Sequence, residues 1–238
     1  MTGKSLSYEL KRCREQIGPV TLELETLADL DKTIDQLCEG VDEKDAEKVF
    51  INDLCPYFGV VWPAARAAAE HVARMGGWLK GKTVLEVGCG LALPSLVAAK
   101  LGARVVATDF HPDVPKFLKL NSELNGVEIE YRELDWRAEN SELGTFDFVV
   151  GSDILYESSH PKDVARALAA HCKRESHILL SDPGRVYLQA AVKEIEALGF
   201  RSDTFISEVR DTHSDRAGDK KTKEVFVFSF QKISHPGR

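Results

Sequence analysis

Thr83-Val84-Leu85-Glu86-Val87-Gly88-Cys89-Gly90-Leu91-Ala92-Leu93 is the stretch that decides the fold. Its apolar start reads as a buried strand. Gly88 and Gly90 form a turn, and residues 94–101 read as a helix ended by Gly102. Strand, glycine turn and helix together make room for a nucleotide-like ligand at the carboxyl end of a strand in an open α/β sheet. Glycine suits the turn because a ligand can approach backbone closely where no Cβ intrudes. The helix start then presents unpaired N–H groups to the turn.

Two ligand classes fit this turn poorly. A dinucleotide fingerprint has a third glycine three positions after the second, and Leu93 stands there. A phosphate loop needs Gly-Lys-Ser/Thr, which is absent. What remains is Glu86-x-Gly88-x-Gly90-x-Ala92, with an acid just before the turn. This pattern resembles the first motif of the class I, seven-strand S-adenosylmethionine-dependent methyltransferases. An acid at that place suits a cationic, amino-acid-bearing ligand better than a polyphosphate.

Downstream, strand and helix patterns alternate. Strands are expected at 104–108, 128–134, 146–151 and 177–181, and helices at 114–124, 160–173 and 187–198. Two last strand patterns, 203–209 and 224–231, have a polar connector and no helix between them, so they must pair antiparallel. The expected fold is α/β: a Rossmann-like three-layer sandwich whose seven-stranded, mostly parallel sheet has the order 3-2-1-4-5-7-6 and one antiparallel strand. The expected division is an N-terminal extension over 1–50, strand plus helix, packed on a methyltransferase domain over 51–238. Within the extension, 1–17 reads as a short helix or a loose segment. Residues 21–27 alternate as a half-exposed strand, and Leu27, Leu30, Ile34 and Leu37 recur at helical spacing. Asp42 to Lys48 reads as a solvated helix face or a linker. Pro63 opens an alanine-rich helix ending at Gly76-Gly77. Trp62 before it is either a core aromatic or a pocket wall.

In such sheets functional residues gather at strand carboxyl ends, and those ends carry acids: Glu86, Asp109, Asp135, Asp153 and Asp182. Asp109 follows Gly88 by 21 residues, near the spacing of a ribose-binding acid; a helix N-cap is the plainer reading. Asp135-Trp136 can read an adenine edge and cover its face, or pack on its own loop. Ser152-Asp153-Ile154-Leu155-Tyr156 follows the fourth strand, and a helical turn there would bring Asp153 and Tyr156 to one side. Trp62-Pro63, residues 85–90, Leu134-Asp135-Trp136 and Asp153-x-x-Tyr156 together resemble methyltransferase family 16, largely protein-lysine methyltransferases. Asp182-Pro183-Gly184-Arg185 further resembles the branch acting on the electron-transfer flavoprotein β-subunit.

The resemblance implies S-adenosyl-L-methionine as cofactor, with S-adenosyl-L-homocysteine as product. It implies that Glu86, Gly88, Cys89 and Gly90 hold the methionine part, beside Trp62 and Ser152. Asp109 takes the ribose, and Asp135 with Trp136 the adenine. Asp153 and Tyr156 are then catalytic, facing the methyl group and the nucleophile, while Asp182 and Arg185 line the substrate entrance. The expected partner is a protein substrate, with the electron-transfer flavoprotein β-subunit or a ribosomal protein as candidates. A small-molecule amine or pyridine N-methyltransferase and a catalytically silent binding module are the competing functions, since fold alone does not fix function.

The 238 residues suit one sizeable domain. A net charge of −7 opposes a nucleic-acid partner, which needs a basic field. Five scattered cysteines without a C-x-x-C pair suit free thiols in a reducing compartment and offer no metal site. No apolar run is long enough to span a bilayer. A cytoplasmic monomer without a metal or membrane partner is expected.

Overall fold

A computed structural model describes residues 8–39, 55–138, 142–212 and 222–233. Strand β3 (Thr83–Val87) lies inside a seven-stranded sheet, between β4 (Arg104–Asp109) and β6 (Phe146–Ser152). Outward from these run β5 (Glu130–Glu133) on one side and β7 (Cys172–Asp182), β9 (Thr222–Lys232) and β8 (Phe200–Arg210) on the other. The order is β5-β4-β3-β6-β7-β9-β8, and only β9 runs antiparallel to its neighbours. This is the 3-2-1-4-5-7-6 order expected from the alternation of patterns.

β3 is apolar on both faces because helices cover both. Val84 joins the core under α2 (Pro63–Met75), α3 (Leu93–Lys100) and α4 (Val114–Asn125). Leu85 and Val87 point the other way, into a second core with α5 (His160–Ala170) and α6 (Leu188–Ala197). Period 2 therefore also sends Glu86 to the α3 side, which matters below.

The N-terminal segment differs from its sequence reading. Residues 10–17 form strand β1 (Leu10–Ile17), paired antiparallel with β2 (Val20–Leu27) through a turn at Gly18. Five of its eight residues are polar, since it is the outer member of a two-stranded ribbon, and Leu10, Cys13 and Ile17 are not spaced as an apolar alternation. Its signal is cross-strand: Arg12 faces Glu25 at 2.7 Å and Arg14 faces Glu23 at 3.7 Å. The free edge of β2 is satisfied by α4. Asn121 and Asn125 each accept from and donate to the backbone of Glu25 and Glu23 at 2.7–3.2 Å. Helix α1 (Leu30–Cys38) follows, started by Asp29, whose side chain accepts from Lys32 N. The Asp42–Lys48 cluster and most of the 210–223 connector lie outside the described residues.

Several boundaries also moved: β7 begins at Cys172 against the expected 177, β8 at Phe200 against 203 and β9 at Thr222 against 224. Helix α5 stops at Ala170 instead of Lys173, because β7 begins at Cys172 opposite Phe146. Ser176 Oγ caps the irregularity there by donating to Phe146 O. Strand β5 is shortened to 130–133 against the expected 128–134.

Arg66 ties ribbon, helix and sheet together. It is 3% exposed, and its guanidinium donates to both Glu15 carboxylate oxygens at 2.5 and 3.1 Å and to Arg210 O at 2.7 Å. Arg66→Ala should cost about 3 kcal/mol, the usual order for breaking a buried ion pair from one side. Urea unfolding measures it, and a midpoint unchanged from the parent contradicts this role.

Candidate functional site

A cleft of about 520 Å³ opens where β3, β4 and β6 end. Trp62, Gly88, Cys89, Gly90, Asp109, Asp135, Trp136, Ser152, Asp153, Tyr156 and Arg185 all line it, so most residues singled out in the sequence converge. Glu86, expected beside the methionine part, and Asp182, expected at the substrate entrance, do not line it. Each is fully buried and holds backbone in place.

The glycine turn is built by close packing. Gly88 has φ +66°, and a Cβ there would meet Ile154 Cγ2 at 2.6 Å and Trp136 Cζ3 at 3.0 Å. Gly90, at φ +50°, faces the Phe58 carbonyl in the same way. Beneath the turn, Glu86 Oε2 accepts from Ser95 N at 2.9 Å and so pins the first turn of α3. Its Oε1 is buried without a partner among the described residues. Burial pushes the Glu86 carboxyl up to about 8, against the pull of Ser95.

Asp109 sits at the tip of β4. Its Oδ1 accepts from Phe110 N and His111 N at 2.8 and 3.0 Å, and its Oδ2 accepts from Gly90 N at 2.9 Å. A carboxylate has about four acceptor sites, so these three donors leave one site on Oδ2 of a residue that lines the cleft. Burial raises its pKa, opposed by these backbone donors. Just past the end of β5, Asp135 is engaged by Arg137 through both backbone N and Nε at 2.9 and 2.8 Å. Burial works against ionisation there, but the Arg137 hydrogen bonds prevail and keep the pKa low. Cys89 is an inert wall: burial, with Asp109 and Glu86 nearby, raises its thiol pKa well above normal.

Asp153 is the strained member. It adopts φ +61°, in the left-handed region, where a non-glycine residue marks a constrained site. Its backbone N donates to Ser181 O across the β6–β7 ladder. The same register sets Asp153 beside Asp182, two carboxylates on neighbouring strand ends. Arg185 resolves the conflict by pairing closely with Asp153 Oδ1 and reaching Asp182 Oδ2 at 3.4 Å. Asp182 in turn folds the Pro183-Gly184-Arg185 turn, accepting from Gly184 N and Arg185 N at 2.7 and 2.6 Å. Burial raises the Asp153 pKa, with Arg185 pulling it back. Tyr156, 46% exposed, stands at the mouth edge-on to Trp136 at 6.5 Å.

Sequence reading missed several wall residues. The short 3-10 helix Pro56–Gly59 brings Tyr57 and Phe58 to the cleft, and the Trp62 indole donates to Tyr57 O at 2.8 Å. Phe110, His111, Arg137 and Glu157 also contribute. Phe110, Arg137 and Glu157 are each next to a residue singled out from the sequence, and His111 lies two positions after Asp109. Among the described residues no His/Cys/Asp/Glu group could hold a metal, and no helix is long and apolar enough to cross a membrane.

Raised carboxyl pKa values fix the sign of a pH effect. Glu86 keeps its proton in the fold up to about 8, while the unfolded chain loses it near 4.5. This contribution is present below about pH 4.5 and fades as pH rises through about 8. Asp109 and Asp153 act in the same sense. The ligand-free protein should melt at progressively lower temperature from about pH 5 to 8, and Glu86→Gln should flatten that decline. Parallel curves for the two proteins would mean that Glu86 ionises normally.

A Rossmann-like sheet of this order, with acids ringing a glycine turn, defines the class I S-adenosylmethionine-dependent methyltransferases. The family model described as lysine methyltransferase matches residues 51–190. Protein N-lysine methyltransferase METTL21A of Xenopus tropicalis is 31% identical over 172 residues, covering 70% of this chain and 80% of its own. Histone-arginine methyltransferase METTL23 of Rattus norvegicus is 33% identical, covering 73% and 83%. The electron transfer flavoprotein beta subunit lysine methyltransferase of Mus musculus is 28% identical, covering 55% of this chain and 51% of its own. Among solved structures, the T. Thermophilus 16S rRNA methyltransferase RsmC, in complex with AdoMet and guanosine, shares the fold. Its TM-score is 0.61 at 17% identity, covering 97% of this chain and 52% of that one. The chain belongs to the lysine methyltransferase family and is an S-adenosylmethionine-dependent methyltransferase.

Proposed function

We propose that the protein methylates a lysine side chain of another protein in the cytosol. The observation that carries this reading is the convergence of Asp153 and Tyr156 beside the Gly88–Gly90 turn, in a cleft open to the surface. The family relationship supports lysine as acceptor. Five free cysteines support a reducing compartment.

The cleft suits the cofactor chemically. Asp109, Asp135, Asp153 and Glu157 outnumber Arg137 and Arg185 in its lining, and no lysine among the described residues lines it. That balance favours a cationic nucleoside and disfavours a polyphosphate. In this reading Asp109 accepts ribose hydroxyls through the open site on Oδ2. Asp135 and Trp136 flank the adenine; Gly88, Cys89, Gly90, Ser152 and Trp62 surround the methionine part. Glu86 acts from below, fixing the turn through Ser95. Bound S-adenosylmethionine supplies an electrophilic methyl group on a sulfonium.

A free lysine has a pKa of about 10.4, so the attacking amine must lose a proton. Asp153 binds the arriving ammonium and orients it, with Arg185 fixing the carboxylate and Asp182 fixing Arg185. The proton leaves to Asp153 or to water. Aromatic walls lower the amine pKa by desolvation. Tyr156 shapes the channel and tolerates a methylated cation against its ring. Holding the reactants together supplies most of the rate.

A second reading, arginine as acceptor, is favoured by the likeness to METTL23. Transfer from methyl-labelled cofactor to proteins of a cell extract separates them. Acid hydrolysis of the labelled band should release methyl-lysine. Methyl-arginine supports the second reading, and label confined to small molecules contradicts both. The electron-transfer flavoprotein β-subunit and ribosomal proteins are the first candidates for the labelled band.

A further inference from the structure

His160 lies outside the cleft lining yet touches four residues of it. It is 3% exposed at the start of α5. Its Nδ1 is 2.9 Å from Ile154 O, and a carbonyl can only accept, so Nδ1 carries the proton. Its ring stands edge-on to Tyr156 at 4.5 Å and to Trp136 at 5.3 Å, both at 79°. Nε2 faces Glu157 Oε2 at 3.5 Å, on the cleft mouth.

These contacts close a circuit. Ile154 follows strained Asp153 and packs its Cγ2 against the Gly88 position, so a donor on the Ile154 carbonyl restrains the turn that aims Asp153. The same ring supports Tyr156 on the acceptor side and Trp136 on the cofactor side. We propose that His160 is a positioning residue that locks Asp153, Tyr156 and Trp136 into one arrangement, aligning acceptor and cofactor without touching either. The proposal rests on the roles given above to Asp153 and Tyr156. It concerns turnover more than affinity, because displacements of about 1 Å at a reacting centre can cost about 100-fold.

Two variants separate the parts. His160→Ala removes ring and donor; His160→Asn keeps an N–H within reach of the Ile154 carbonyl. Methylation kinetics should show kcat falling between about 10- and 100-fold in His160→Ala, with a smaller loss in His160→Asn. The protein-substrate KM and the calorimetric affinity for S-adenosylhomocysteine should stay nearly constant. An unchanged kcat in His160→Asn and His160→Ala overturns the proposal, as does a loss of cofactor affinity in proportion to kcat. If His160→Ala fails to fold, a kcat loss in His160→Asn at unchanged KM supports the proposal, and wild-type turnover in it overturns the proposal.

A readout independent of activity distinguishes this failure from that of the assigned function. In protein with Trp62→Phe and Trp78→Phe, Trp136 is the sole tryptophan. His160→Asn should shift its fluorescence to the red as the indole loses its support, and an unmoved emission counts against the positioning role. A red shift in a protein whose wild type methylates nothing upholds the ring arrangement and removes the assigned function instead.

Discussion

Asp153→Asn should slow methyl transfer by about 100-fold or more, the usual range for a positioned acid–base group, while S-adenosylhomocysteine affinity changes little. Asparagine is the informative replacement because it tolerates the left-handed backbone that Asp153 adopts at φ +61°. The fold is thereby kept while the negative charge is removed. Two effects add. The arriving ammonium loses its counter-charge, and Arg185 loses the partner it holds at the strand end. Arg185 still reaches Asp182 at 3.4 Å, so the Pro183-Gly184 turn should persist. Single-turnover assays at saturating cofactor measure the step, and turnover near the parent rate would remove Asp153 from the mechanism.

Asp109→Ala should weaken cofactor binding by about tenfold or more, on the basis of about 1.5–3 kcal/mol for a hydrogen bond to a charged group. The carboxylate has two tasks. It ties Gly90, Phe110 and His111 into one loop, and it offers the remaining Oδ2 site to the ribose. Asp109→Asn keeps one oxygen for Phe110 N and His111 N but sets an NH2 where Oδ2 accepts from Gly90 N, so it should weaken binding as well. Calorimetry with S-adenosylhomocysteine checks both; unchanged affinity in Asp109→Ala refutes the ribose assignment.

The sheet was legible because β3, β4, β6 and β7 carry apolar residues on both faces and end in acids, while helices between them carry apolar residues at 3.6 spacing. β1 was not legible, because its residues bury little and its stability lies in pairing with β2 and in charges across the ribbon. The location of the cleft was also legible, since a strand tip is a place in the sequence. Which tip residues face the cleft was not. Glu86 shares the strand face of Val84 beneath α3, and Asp182 turns inward to fold its own loop, so both are acids at the right place pointing elsewhere. The Arg185–Asp153 pair needs the β6–β7 register, which sets Ser152 opposite Ser181 and so brings two acids together. Tyr57 and Phe58 reach the cleft through a 3-10 turn without periodicity, so no spacing marks them.

A crystal structure with S-adenosylhomocysteine is the most direct test of the central claim. The account predicts ribose hydroxyls on Asp109 Oδ2, the amino-acid part over the Gly88–Gly90 turn, and the sulfur facing Asp153 and Tyr156. A ligand seated elsewhere, or one whose sulfur points away from Asp153, contradicts it.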